Sequence, residues 1–160
     1  GHPFAYHVYG TAVTVVTVDC LRGTYEIDYV KACHDVGASM NKGIDLGQLE
    51  GGLVQGIGWM TMEEVVYNEH GKLLSNALST YKIPDIYSIP KEIDIEFLDT
   101  DNDNLAILKS KAVGEPPLMY GIGSYFAIRN AVLAFNPKST ITYNAPITPE
   151  KVLMGLYNNL

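Results

Sequence analysis

Ser110-Lys111-Ala112-Val113-Gly114-Glu115-Pro116-Pro117-Leu118 leads into an apolar run that continues to Phe135, and it marks both an element boundary and a candidate site. Pro116 biases Glu115 towards extended geometry, because the proline ring collides with a helical preceding residue. Pro117 suits the first helical position, where no N–H is needed. The pattern predicts a helix over Pro117–Phe135, with Leu118, Ile122, Phe126 and Val132 or Leu133 facing inward and Asn136-Pro137 as its stop. Gly114 lets the chain turn tightly or approach another group closely. A carboxylate just before a helix N-terminus sits at the positive end of the dipole, which favours its charged form. Read from the residues, Glu115 is either a general base held in place or simply a helix-terminal charge.

Outward from that stretch the chain reads as mixed α+β. Thr11–Asp19 alternates β-branched residues between turn signals, and Tyr25–His34 forms a second strand across a Leu21–Thr24 connection. Val36–Gly43 reads as a loop. Asp45–Glu64 is predicted to be the first long helix, with Asp45 as N-cap and Gln48 completing a capping box. Its core stripe is Leu46, Leu49, Leu53, Ile57 and Met60. A short hairpin is expected about Asn68–Gly71, irregular chain over Tyr81–Pro90, and a strand over Lys91–Leu98. Asp99–Asn104 is an acidic turn, and Thr148-Pro149 opens a short helix to about Tyr157. The predicted fold class is α+β, with mixed or antiparallel strands, two long helices and a short C-terminal helix. Residues 1–160 form one domain or a fragment of one.

The first helix carries a second, unusual face. Gln48, Gly51, Gly52, Gln55 and Gly58 recur at helical spacing and share a side. Each helical glycine costs about 1 kcal/mol relative to alanine, so five of them, counting Gly47 and Gly56, require compensation. Two amides among glycines leave room for a flat polar group that exchanges hydrogen bonds with them. Close packing of the helix on a neighbouring backbone would account for the glycines equally well.

The chain has 160 residues, 47% hydrophobic and 18% charged, as expected for a globular domain with a real core. Its net charge of −7 and lack of any basic run argue against nucleic acid as a partner. No stretch reaches the roughly 20 apolar residues of a membrane helix. Cys20 and Cys33 make neither a disulfide framework nor a ligand pair, and isolated thiols fit a cytoplasmic setting. His2, His7, His34 and His70 show no metal-ligand spacing. Asp99, Asp101 and Asp103 resemble the start of a calcium loop, but Asn104 and Ser110 stand where Gly and Glu are required. Lys109 and Lys111 are read as solvated. The start at Gly1-His2-Pro3 without Met reads as a piece of a longer polypeptide or a processed subunit.

Lys111–Leu118, Ser79–Pro84 (STYKIP) and Asp45–Gly51 (DLGQLEG) together resemble the xanthine dehydrogenase/aldehyde oxidase family of molybdenum hydroxylases. The likeness is to the C-terminal part of the molybdopterin-binding region and runs from about Pro3 to about Phe135. It implies that Glu115 is the general base in hydroxylation of an electron-poor carbon with water-derived oxygen. It also implies that Gln48 hydrogen-bonds the molybdenum–molybdopterin cofactor, with Gln55 and Gly114 as further cofactor-binding candidates and no protein ligand to the metal. The cofactor would be shared with upstream regions, and [2Fe–2S] and FAD would sit elsewhere, since this chain has no cysteine pattern for a cluster. The implied partners are the rest of the enzyme or its other subunits and a purine, aldehyde or N-heterocycle substrate, with a homodimer of the intact enzyme also expected. The isolated chain is expected to be inactive. Tyr120-Gly121-Ile122-Gly123 departs from the family's more apolar continuation and is expected to alter the pocket wall. A non-catalytic scaffold that keeps the fold is the alternative.

Overall fold

In a computed structural model, residues 3–98, 100 and 106–159 are described. Asp99 and Asp101–Asn104, and with them the expected acidic turn and the rejected calcium loop, lie outside that set. So does His2.

The first two strands are as the alternation predicts. β1 (Gly10–Val18) and β2 (Tyr25–His34) pair antiparallel, with a register irregularity between Val15 and Val16. Asp19 organises the connection: its carboxylate accepts from the Leu21 and Arg22 amides at 2.8 and 3.2 Å. Gly23, at φ +71°, supplies the left-handed residue that closes it. β3 (Glu92–Phe97) adds parallel to β2, so the order is β1-β2-β3 with β2 central. Lys31 on β2 fixes that pairing by reaching Asp94 at 3.0 Å and Glu96 at 2.9 Å.

α1 (Lys42–Thr61) starts a turn earlier than Asp45. The cap is Asn41, whose Oδ1 accepts from the Gly43 and Ile44 amides. That leaves Asp45 in the first turn, taking the Ser39 hydroxyl at 2.6 Å, and ends the helix at Thr61 rather than Glu64. Leu49, Leu53, Ile57 and Met60 are buried as expected, while Leu46 is half-buried. The hairpin about Asn68–Gly71 reduces to one bridge, Tyr67 with Leu73.

The predicted helix over Pro117–Phe135 is two elements. Pro116–Gly121 is a 3₁₀ segment, and α2 (Ile122–Phe135) follows. Two prolines remove two N–H groups, and Leu118 N–H returns to the Glu115 carbonyl at 3.2 Å, which is the tighter 3₁₀ pattern. Glu115 is therefore helical (φ −83°, ψ −42°) and not extended: beginning the turn outweighs the bias from Pro116. The α2 stripe also shifts. Tyr125, Ile128 and Val132 are buried, while Phe126 is 45% exposed. Tyr125 displaces Phe126 because its buried hydroxyl is satisfied, donating to Thr142 O at 2.8 Å and accepting from Asn144 N–H at 2.9 Å.

α3 (Pro149–Tyr157) begins after Thr148, as the sequence indicates. Asn136 both stops α2 and ties it to α3: buried, it donates to the Leu156 and Asn158 carbonyls at 3.2 and 2.7 Å. The core has two connected parts. Ile27, Val30, Leu53 and Ile57 lie between sheet and α1, and Met60, Ile128, Val132, Val152 and Leu156 join α1, α2 and α3.

α1 crosses the 3₁₀ segment at backbone contact. A Cβ on Gly121 would run into the Gly56 backbone, and one on Gly56 would run into Leu118 O. At Gly51 a Cβ would meet nothing within 4 Å. Gly121→Ala is therefore expected to destabilise the chain by about 1–3 kcal/mol through overpacking. Gly51→Ala is expected to stabilise it by up to about 1 kcal/mol. Urea unfolding of both variants checks this; equal shifts would contradict the crossing.

Candidate functional site

Gly47, Gln48, Gly51 and Gln55 on α1 and Gly114 and Glu115 on the facing segment line one open cleft of about 780 Å³, with Gly52 and Leu118 at its base. Each sequence-singled candidate thus lies in the same cleft. The α1 glycines divide between the two explanations left open above. Gly52, Gly56 and Gly58 serve close packing: their Cβ positions are taken by Gly114 O (2.6 Å), Leu118 O and Pro84 Cγ (2.5 Å). Gly58 consequently does not share the cleft face, since it points at Pro84 and Glu63. Gly47 and Gly51 face open space.

Gln48 and Gln55 are exposed, and neither amide has an intramolecular partner among the described residues. Gln48 Oε1 lies beside Gly114, 3.5 Å from where a Cβ there would sit. Glu115 is exposed, and its side chain makes no capping bond to the segment that follows it. The cleft therefore presents two amides and a carboxylate whose hydrogen-bonding capacity is unspent, beside a strip of helix backbone bare of side chains.

A second groove adjoins it, sharing Gln55 and Leu118 and walled by Trp59, Glu63, Ile83 and Pro84. Here the Ser79–Pro84 stretch enters: Tyr81 Oη donates to Glu63 Oε2 and holds this loop on α1. Another cavity, of about 460 Å³, lies between the start of β2 and residues 82–91. Its Lys91 is already paired with Glu26 and Asp28.

Behind the cleft stands a buried polar cluster that sequence reading missed. Lys111 is not solvated: its ammonium pairs with Asp35 at 2.5 Å, with side chains 8% and 0% exposed. Burial pushes the Asp35 carboxyl up, but Lys111, the Gly37 amide and the Thr100 hydroxyl hold it below the usual carboxylate range. The Lys111 N–H also donates to Val36 O at 2.9 Å. His34, fully buried, has Nε2 at 3.0 Å from Ala112 O and Nδ1 at 2.5 Å from Tyr120 Oη. Burial lowers the His34 pKa despite the Ala112 carbonyl and Asp35, and it pushes the Tyr120 phenol up to about 12. Tyr120 thus turns into the protein behind the cleft and does not form part of its wall. The only sequence signal for this cluster was polar residues at strand-end positions, which does not separate a buried pair from a wet one.

Residues 1–90 match the model of a molybdopterin cofactor-binding domain. The chain belongs to the xanthine dehydrogenase/aldehyde oxidase family. It is similar to xanthine dehydrogenase/oxidase of Felis catus, 43% identical over 95% of this chain and 12% of that protein. It is also similar to aldehyde oxidase 1 of Bos taurus, at 39% identity over 97% of this chain and 12% of that protein. Among solved structures, quinoline 2-oxidoreductase from Pseudomonas putida 86 superposes with a TM-score of 0.78 at 29% identity, covering 89% of this chain and 18% of that one. The chain thus spans about an eighth of the length of the curated relatives it matches. Its relatives are molybdenum-dependent oxidoreductases. No helix among the described residues is long and apolar enough to cross a membrane.

The residues present fit a pterin-type group. Bare backbone at Gly47 and Gly51, where a Cβ would protrude into the cleft, gives a flat ring system a surface to lie on. The free amides of Gln48 and Gln55 match its alternating donors and acceptors. Among the described residues no group of three or more His, Cys, Asp or Glu could hold a metal ion.

Two outcomes follow from the buried cluster. Lys111→Met leaves the Asp35 charge buried alone and is expected to cost about 3–5 kcal/mol in urea unfolding, while Asp35→Leu/Lys111→Met is expected to recover much of that loss. Because folding depresses the His34 pKa below its ordinary 6.5, the unfolded chain binds more protons in that window. Stability conferred by neutral His34 is complete above that value and declines as pH falls through it. Unfolding free energies at pH 7 and pH 5 should show this decline, and His34→Gln should flatten it.

Proposed function

We propose that this chain carries the proton-accepting and cofactor-facing residues of a molybdenum hydroxylase acting on a purine or related N-heterocycle. The observation that carries the reading is the convergence of Glu115, Gln48, Gln55 and Gly114, from two segments distant in sequence, on one cleft. The molybdenum–molybdopterin group, shared with upstream regions, supplies a two-electron oxidant and a site for activating water. In the net reaction a substrate carbon loses hydrogen with two electrons and gains oxygen from water.

Glu115 is the general base that takes the proton released from that water. Its exposure to the cleft and its freedom from a capping bond leave both oxygens available. Its backbone begins a 3₁₀ turn locked by two prolines, so the chain that bears the carboxylate has little conformational freedom. Gln48, beside Gly114, would hydrogen-bond the cofactor, and Gln55, two turns further along the same helix face, would offer it a second amide. The Gly114 carbonyl packs against Gly52, where a Cβ would come within 2.6 Å of it, and this keeps the base-bearing segment close to α1. The intact enzyme, expected to be cytoplasmic, would hold [2Fe–2S] and FAD groups outside this chain to accept the two electrons.

The test is made in the intact enzyme. Glu115→Gln is expected to reduce turnover by at least about 10²-fold, within the usual range for a lost general base, while molybdenum content stays at the wild-type level. Turnover near wild type would remove Glu115 from that role. An intact wild-type protein that contains no molybdenum would instead favour a scaffold that kept the fold. Turnover of xanthine or hypoxanthine in preference to aldehydes is the expected substrate profile.

A further inference from the structure

We propose that His34 and Tyr120 are positioning residues for the Glu115 carboxylate, forming a buried brace across the two flanks of the segment that carries it. The proposal rests on Glu115 as general base. His34 closes β2, and both its ring nitrogens are engaged. Its contact with the Ala112 carbonyl requires Nε2 to be the donor, so Nδ1 is the acceptor and the Tyr120 hydroxyl donates to it. Ala112 lies just before Glu115 and Tyr120 just after it. One imidazole therefore joins the chain on both sides of the base.

The brace has little slack. Tyr120 Oη occupies a slot that exists because residue 10 is glycine: a Cβ there would strike the hydroxyl and come within 2.9 Å of Cys33 O. The rings of His34 and Tyr120 meet edge to face with centroids 5.7 Å apart. Burial keeps the imidazole neutral and the phenol protonated, which are the states this donor–acceptor order needs. Towards the cleft, the Gly114 carbonyl abuts Gly52. The segment is thus held from α1 on one side and from the end of β2 on the other. Neither His34 nor Tyr120 lines the cleft, so their influence on Glu115 passes through backbone position alone.

Tyr120→Phe removes only the donating oxygen. In the intact enzyme, assayed on whichever of xanthine, hypoxanthine or an aldehyde it turns over, kcat is expected to fall roughly ten- to hundredfold, since a shift on the order of 1 Å at the reacting groups costs that much. KM and molybdenum content should stay near wild type. His34→Gln, whose amide can both donate to Ala112 O and accept from Tyr120, should retain more kcat than His34→Leu. In a Glu115→Gln background, Tyr120→Phe should cause no further loss, because the group it positions is already gone. Wild-type kcat in Tyr120→Phe overturns the brace, as does an equal loss in both backgrounds. A fall in turnover matched by a fall in molybdenum content also overturns it, because it assigns the pair to folding alone. Undiminished turnover in Glu115→Gln itself would overturn the base, and the brace with it.

Discussion

Gly56 and Gly121 meet backbone to backbone, with no room for a Cβ on either. This contact brings α1 and the Pro116–Gly121 segment close enough for Gln48 and Glu115 to share a cleft. Three glycines in the interior of a helix oppose its formation by about 1 kcal/mol each, and the offset is the tertiary contact that they permit. The same helix uses two more glycines, Gly47 and Gly51, for the opposite purpose, leaving its backbone bare to the cleft. Packing and vacancy are therefore separate consequences of one composition, divided by the direction in which each residue points.

The second constraint is electrostatic. Asp35, His34, Lys111 and Tyr120 are polar groups withdrawn from water behind the cleft, and each finds its partner within the cluster. Burying a charge pair yields little net stability, but leaving either charge alone would be severe. The cluster therefore acts more as a specification of geometry than as a source of cohesion. It ties the end of β2 to the segment that precedes Glu115, with Lys111 N–H on Val36 O and Ala38 N–H on Lys109 O continuing the attachment.

Much of the fold was legible locally. The period-two alternation of Thr11–Asp19 and Tyr25–His34, the Leu21–Thr24 connection, and the Thr148-Pro149 start of α3 depend on near neighbours, and the structure follows them to within a residue or two. The errors occurred where residues of similar type compete, decided close by at Asp45 and from another element at Tyr125 and Lys111. Asp45 is a good cap by type, yet Asn41 holds the position and leaves Asp45 to Ser39. Phe126 is the more apolar residue, yet Tyr125 is buried because Thr142 and Asn144 receive its hydroxyl. Lys111 carries nothing in its sequence neighbourhood that distinguishes it from a surface lysine; Asp35 does that from another element.

By itself the sequence determined the family, through motifs whose residue types and spacing are local properties, and with it the candidate base and amides. It also determined that two prolines of fixed φ would follow Glu115 and lead into a helix, because ring closure restricts φ whatever surrounds it. Only the tertiary structure decided which helix glycines would pack and which would stay open, and that a histidine on the second strand would hold both sides of the Glu115 segment. These outcomes depend on which atoms occupy a given volume, and that is settled between elements far apart along the chain.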